Sequence, residues 1–369
     1  MKVALLSFHN ASNYGAALQA YALQKVIEAE GIECPYIDYQ NFHRAHAYDM
    51  AYHIKDSLRK KNFKAAIAYI LGYPFIELRN RNFRDFFKKN LKVTNRVYSS
   101  SAEAKELNGI YDKFIVGSDQ VWNNVNNGQD FAFLLDFVDD DKKKISYSSS
   151  FGLSEIPANL VSDYKKNLEK IYYLSVREEI GVRIVKNLTG RIAKLVVDPV
   201  FLVPFDDWKR LTHDISEKFI FDYNNNDRLF NEFCNKFGYN NVGKVYKLSR
   251  NTTIPDLVNP SVRVKYFMHP LEFLSVINSS ELIFTDSFHC IAFAIIFRKN
   301  FVVALTNNYG KDERLVNILK EFGLEKRIFT DKMTKAEIST PIDYDSVYAK
   351  LLPFISESKK FLFNSIYSV

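Results

Sequence analysis

At 369 residues the chain is longer than one average core needs, so two domains are the expectation, and 47% hydrophobic with 25% charged content excludes a disordered or fibrous protein. Cys34, Cys234 and Cys290 are odd in number and far apart, which argues against a disulfide framework or a zinc site and for a reducing, cytoplasmic compartment. The net charge of +7 is concentrated in one segment, because Asn41 to Arg96 holds 13 Lys+Arg against 4 Asp+Glu, a pattern that speaks for an anionic partner.

The first residues, MKVALLSFHN, form a short apolar run without the small-residue cleavage site of a signal peptide, and no stretch approaches the roughly 20 apolar residues of a membrane span. Lys2 to His9 reads as a buried strand, followed by the polar turn NASNYG. In AALQAYALQKVIEAE, Leu18, Tyr21, Ala22, Lys25 and Val26 recur at helical spacing, and Gly31 stands where a helix would end. IECPYIDY returns as a strand, completing a βαβ opening that predicts a parallel, doubly wound sheet.

Residues 41–100 interrupt this alternation with a basic, helical insertion. The sheet pattern resumes with KFIVGS, KISYSSSFG, YYLSVRE and KLVVDP, separated by helical stretches over Ala158 to Lys170 and Glu178 to Leu188. The Pro-flanked stretch DPVFLVPFDDWKRLTHD is the expected interdomain linker. A second α/β set follows: KFIFDY, a helix near Arg228 to Phe237, VGKVYKL, a helix over Pro270 to Ser279, LIFT, the helix of SFHCIAFAIIF, FVVAL and VNILKEFG. The expected fold class is α/β, with two doubly wound Rossmann-like domains facing across a cleft. The expected domains are 1–200, carrying the insertion at about 41–100, and 215–369, with the last helix packing back on the N-terminal domain. Ligands of such sheets bind beyond the carboxyl ends of the strands.

Candidate residues cluster at those ends. In TDSFH, Ser287 is a plausible N-cap and His289 falls in the first helical turn. A helix start offers unpaired amides and a positive dipole end to an anion, beside the one side chain that ordinarily titrates near neutrality. Equally, Ser287 can be a plain cap and His289 a satisfied core histidine. His9, Asn13, Tyr14 and Gly15 occupy the corresponding turn after the first strand, where Gly15 admits a close backbone approach; without G-x-G-x-x-G spacing a dinucleotide is not implied. In GSDQVWN, Ser118, Asp119 and Gln120 follow a strand and suit a sugar or an anion, or an aspartate-capped loop. Arg177 could clamp a carboxylate or phosphate, or pair with Glu178 or Glu179. Asp198 before Pro199 reads as a strand-ending turn, and His269 before Pro270 as a cap. Zinc-protease, P-loop, nucleophile-elbow and RNA-binding signatures are absent from the sequence, which leaves metal and nucleic acid without support.

Together the segments NYGAALQAYALQ, DKFIVGSDQVWN, SYSSSFG, SVREEIG, VVDPVFL, PLEFL and TDSFHCIAFAIIF resemble the polysaccharide pyruvyl transferase family. The resemblance implies a GT-B-like enzyme that moves the enolpyruvyl group of phosphoenolpyruvate onto a hydroxyl pair of a polysaccharide precursor, capsular or exopolysaccharide, to form a pyruvate ketal. No cofactor is implied, and phosphoenolpyruvate is the donor substrate. By resemblance His289 is the acid/base group and Arg177 its catalytic partner. Ser287, Phe288 and Arg177 would then bind the donor, while His9, Asn13, Tyr14, Gly15, Ser118, Asp119 and Gln120 meet the acceptor. Cys290 and Ile291 stand where the family often carries glycine and a small or hydroxylic residue, so a cysteine narrowing the donor pocket is expected. The basic insertion, residues 41–96, is expected to touch an anionic membrane at its inner face or a lipid-diphosphate-linked acceptor. Two other readings stay open: a GT-B glycosyltransferase using a nucleotide sugar, and a non-catalytic sugar- or anion-binding homologue.

Overall fold

The computed structural model describes residues 1–239, 244–248, 259–306 and 309–368. The chain forms two compact units, Met1–Leu202 with Phe354–Val369, and Val203–Pro353.

In the first unit, β1 (Val3–Leu6), β2 (Tyr36–Tyr39), β3 (Val93–Tyr98), β4 (Lys113–Val116) and β5 (Lys144–Ser146) form a parallel sheet in the order β3-β2-β1-β4-β5. β1 and β4 are buried at every position, as four-residue runs covered on both faces must be. β6 (Ser175–Val176) and β7 (Lys194–Leu195) pair in parallel, and bridges Ile145 to Tyr173 and Ser149 to Val176 join them to the β5 side. Helix α1 (Tyr14–Glu28) connects β1 to β2 and is capped by Asn13, whose Oδ1 accepts the Ala16 amide at 3.1 Å.

The basic segment folds as α2 (Phe42–His46), α3 (Met50–Arg59) and α4 (Phe63–Asn90). The second half of α4 packs on α1, with Tyr14 and Phe83 rings 4.9 Å apart. Its first half leaves Phe63, Ile67, Ile70, Leu71 and Phe75 exposed at helical spacing. Helices α5 (Val161–Lys170) and α6 (Glu179–Thr189) complete the unit, and Ser358 ties the closing segment to it, its Oγ accepting the Val197 amide at 3.0 Å.

The second unit repeats the plan. β8 (Phe219–Tyr223), β9 (Lys244–Lys247), β10 (Val262–Val264), β11 (Leu282–Thr285) and β12 (Phe301–Val303) are parallel in the order β10-β9-β8-β11-β12. Around them lie α7 (Asp227–Phe237), α8 (Pro270–Ser279), α9 (Phe288–Ile296) and α10 (Tyr309–Phe322), while α11 (Tyr344–Tyr367) runs on into the closing segment of the first unit. Of the expected strand VGKVYKL, Val242 and Gly243 lie outside the described residues.

In both sheets the chain leaves a central strand to one side and later returns to its other side. The order therefore reverses between β1 and β4, and again between β8 and β11. Loops diverge beyond such a reversal and leave room for a ligand. The sequence expectation differs from the structure at the sheet edges. Val93–Tyr98, read within the helical insertion, is edge strand β3, and Val262–Val264 is edge strand β10, which sequence reading overlooked. β3 is largely solvated and its residues VTNRVY do not alternate cleanly between apolar and polar, while β10 is only three residues long, too short for a period-2 signal to stand out.

Candidate functional site

At the reversal in the second unit, β11 delivers the turn Asp286–Ser287 into α9. Thr285 Oγ1 donates to the Tyr223 carbonyl at 2.7 Å and accepts the Ser287 amide at 3.1 Å, tying the end of β11 to that of β8. Ser287 caps α9, its hydroxyl 3.5 Å from the Cys290 amide. Asp286 is buried and accepts from Asn225 Nδ2 at 2.9 and 3.2 Å. Asn224 donates to Asp222, its Oδ1 accepts the Asn226 amide at 2.6 Å, and Asn226 caps α7 by accepting the Leu229 amide at 3.3 Å. Two helices thus begin beside each other at one sheet reversal, held by an aspartate–asparagine contact. His289 lies in the first turn of α9, 8% exposed, edge-to-face with Phe288 at 5.2 Å. The structure brings Ser287, Phe288 and His289 together here. Asn224 and Asn225 were missed by sequence reading, although the Asn triplet after KFIFDY was a signal for a polar strand-end turn.

Cys290 and Ile291 are 0% exposed, so they pack into the core of the unit and do not narrow an opening. Burial pushes the Cys290 thiol up to about 12, a hydrogen bond with Thr285 opposing and the Asp286 charge adding to the rise. Burial first, then nearby carboxylates such as Glu28 for Cys34 and Asp222 for Cys234, holds the other two thiols at about 12 as well. At neutral pH a thiol reagent is therefore expected to leave all three cysteines of the folded protein unlabelled and to label all three in denaturant. Fast labelling of Cys290 in the native protein would contradict its place in the core.

At the reversal in the first unit, the loop after β1 meets the end of β4. The Gly117–Ser118 peptide is cis, and Gly117 has φ +122° with a Cβ position 2.2 Å from the Tyr147 carbonyl oxygen, so no side chain fits there. Ser118 is wholly buried, its amide donating to Gln19 Oε1 at 3.1 Å, while Gln19 Nε2 donates to Ser7 Oγ and that hydroxyl to the Ser118 carbonyl, each at 3.1 Å. Ser118 Oγ lies 3.0 Å from Asp198 Oδ2, and Arg177 Nη1 donates to the same oxygen at 2.8 Å. Arg177 Nε also donates to Glu178 at 3.1 Å. Burial works against the Arg177 charge, and Glu178, Asp198 and Asp119 outweigh it, holding the guanidinium above its ordinary proton affinity. Arg177 and Ser118, far apart in sequence, thus meet on Asp198, which also forms the expected strand-ending turn, its Oδ1 accepting the Val200 amide at 3.1 Å.

The other residues expected on this side divide between surface and interior. Asp119 and Gln120 are half-buried, and Gln120 Oε1 accepts from Asn126 at 3.0 Å. Asn13 serves as the cap of α1, Tyr14 and Gly15 are buried, and Arg79 of α4 donates to the Ser12 carbonyl at 2.8 Å. His9 is buried, stacked on Tyr36 at 5.2 Å, with Nε2 3.9 Å from Asp38. Burial lowers its pKa to about 4 against the opposing pull of Asp38 and the Ser7 carbonyl, with Arg44 adding to the fall. The unfolded chain binds that proton near 6.5 and the folded one only near 4, so stability present above the upper value drains as pH falls between them. Between pH 7 and pH 5 the loss is about 2 kcal/mol from this group alone. His9→Gln should flatten that part of the urea-midpoint profile, and an identical pH slope in both proteins would refute the assignment.

Among the described residues no group of three or more His, Cys, Asp or Glu could hold a metal ion, and no helix is long and apolar enough to cross a membrane. The two-unit architecture is that of the GT-B type. It is similar to a putative UDP-N-acetylglucosamine 2-epimerase of Listeria monocytogenes (TM-score 0.54, 10% identity, 100% of this chain and 97% of that one). It is also similar to the UDP-GlcNAc 2-epimerase of Neisseria meningitidis bound to UDP-GlcNAc (TM-score 0.52, 10% identity, both chains covered in full). The Methanocaldococcus jannaschii UDP-GlcNAc 2-epimerase aligns equally well (TM-score 0.52, 11% identity, both chains in full). At such identities the likeness is one of fold. No curated protein matches the sequence. The polysaccharide pyruvyl transferase family matches residues 13–309, and the chain belongs to that family of transferases.

Proposed function

We propose that the protein transfers the enolpyruvyl group of phosphoenolpyruvate to two hydroxyls of a sugar in a polysaccharide precursor, forming a pyruvate ketal. A proton added to the methylene carbon makes the neighbouring carbon oxocarbenium-like. The first sugar hydroxyl adds to that carbon and loses its proton; the C–O bond to phosphate breaks and inorganic phosphate leaves; the second hydroxyl adds and loses its proton. One proton goes to the methylene carbon and two come off the hydroxyls, the surplus one ending on the departing phosphate, so a single acid/base group can both give and take. His289 is the group proposed for this role, and the amides at the start of α9 beside Ser287 and Phe288 would receive the donor's anionic groups. No cofactor is proposed. Asp119 and Gln120, the half-buried pair after β4, are the proposed acceptor contacts. The interior pairing of Arg177 supports a positioning role, through Asp198 and Ser118, for the loop that carries them.

The observation that carries this reading is the family match across residues 13–309. Its test is incubation with phosphoenolpyruvate and a panel of sugars, free and diphosphate-linked, with phosphate release and a pyruvate adduct read by mass spectrometry. Stabilisation by UDP but not by phosphoenolpyruvate, with no adduct from any sugar, would favour a nucleotide-sugar enzyme instead. For the cell, the proposed place is the cytoplasmic face of an anionic membrane. The support is the exposed apolar stripe of α4 beside Lys60, Lys61 and Lys64, a basic-apolar pattern suited to the lipid interface. Equal sedimentation with neutral and anionic vesicles would remove that part.

A further inference from the structure

Away from Ser118 and Asp198, the first unit holds a cavity of about 410 Å³ whose walls include Asn10 after β1, Gln40 after β2, Arg44 and Tyr48 from α2 and beyond, and Asn80 and Arg84 of α4. Its most telling wall residue is Arg44. The side chain is 8% exposed, and its guanidinium sits 4.1 Å from the Phe8 ring centroid and 5.9 Å from that of Tyr48. Stacking on an aromatic ring fixes the plane of the guanidinium without using up its N–H groups. Nη2 is buried and meets no hydrogen-bond acceptor among the described residues. A buried charged N–H without an acceptor carries an uncompensated desolvation cost, which an anionic oxygen would recover.

The other charges of the cavity are already engaged: Glu77 pairs with Arg84, and Asp49 caps α3 by accepting the Tyr52 amide at 3.0 Å. The uncharged walls include three side-chain amides, of which Asn80 donates to the Tyr48 carbonyl at 3.1 Å and Gln40 to Asp38 at 2.7 Å. A rigid buried cation, amide groups and aromatic faces around a space of this size are the lining expected for a sugar carrying a phosphate.

We propose that this cavity binds the phosphate-bearing end of the acceptor, a glycosyl phosphate or diphosphate, with Arg44 contacting the phosphate and Asn10, Gln40 and Asn80 the sugar. The proposal rests on the transferase reading for the word acceptor, but its test needs no turnover. Calorimetric titration of the whole chain, without phosphoenolpyruvate, uses N-acetylglucosamine 1-phosphate, UDP-N-acetylglucosamine and farnesyl diphosphate. At least one is expected to bind, with Arg44→Met weakening it tenfold or more and Arg44→Lys recovering part of the loss. Preference for farnesyl diphosphate would mark a lipid carrier, and preference for UDP-N-acetylglucosamine a nucleotide one. If Arg44→Met does not fold, Gln40→Glu, which sets a carboxylate on the wall, is expected to weaken the same ligand. Failure of all three compounds to bind wild-type protein overturns the proposal, as does undiminished binding by the folded Arg44→Met and Gln40→Glu variants. Phosphoenolpyruvate is titrated separately: a protein that binds glycosyl phosphates but not the donor keeps this site and loses the pyruvyl-transfer reading.

Discussion

His289→Gln is expected to lower phosphate release from phosphoenolpyruvate by two to four orders of magnitude, the usual contribution of a positioned acid/base group, with little change in melting temperature. The glutamine keeps most of the length and one N–H but cannot shuttle a proton. His289 is 8% exposed in the first turn of α9, so a side chain of similar size should leave the capped turn in place. The comparison that decides is kcat against KM. A fall confined to kcat assigns the residue to proton transfer, whereas a rise in KM alone makes it a donor contact. Unchanged kcat and KM in a folded variant would remove His289 from the reaction altogether.

Arg177→Met should destabilise the protein by about 3–5 kcal/mol, because removing one partner of a buried ion pair strands the other charges. Asp198 and Glu178 are 1% and 5% exposed, and each would keep its charge without the guanidinium that balances it. Adding Asp198→Asn to the first change removes one stranded charge, so the double variant should recover part of the loss, measured by urea denaturation. Strict additivity of the two single effects would show that the 2.8 Å contact contributes nothing.

What the sequence discloses depends on whether the determining contacts are local. The turn at Ser287 is legible because a cap, a helix start and an apolar run lie within a few residues, and the burial of β11 and α9 follows from the same run. The partner of Arg177 is not: Asp198 lies 21 positions away, and Glu178 and Glu179 were nearer candidates. Cys290 shows the same limit in reverse. Its position at a helix start suggests an opening, but which side of a helix faces the core is set by the sheet beneath it, and here the thiol points inward. The insertion was readable as basic and helical. Its cavity was not, since Asn10, Gln40, Arg44 and Asn80 converge only once α4 has folded back over the first sheet. Edge strands β3 and β10 escaped because solvated strands need little hydrophobic patterning.

The division of the chain has a consequence for its birth on the ribosome. Phe354–Val369 belongs to the first unit, where Leu362 and Ile366 are wholly buried. Domains emerging from the ribosome ordinarily fold in order, the N-terminal one first. Here the second unit leaves the exit tunnel before the segment that finishes the first one, so the early-made half must wait with an apolar seam open. Slow translation or a stop codon near position 353 would therefore harm the half made first.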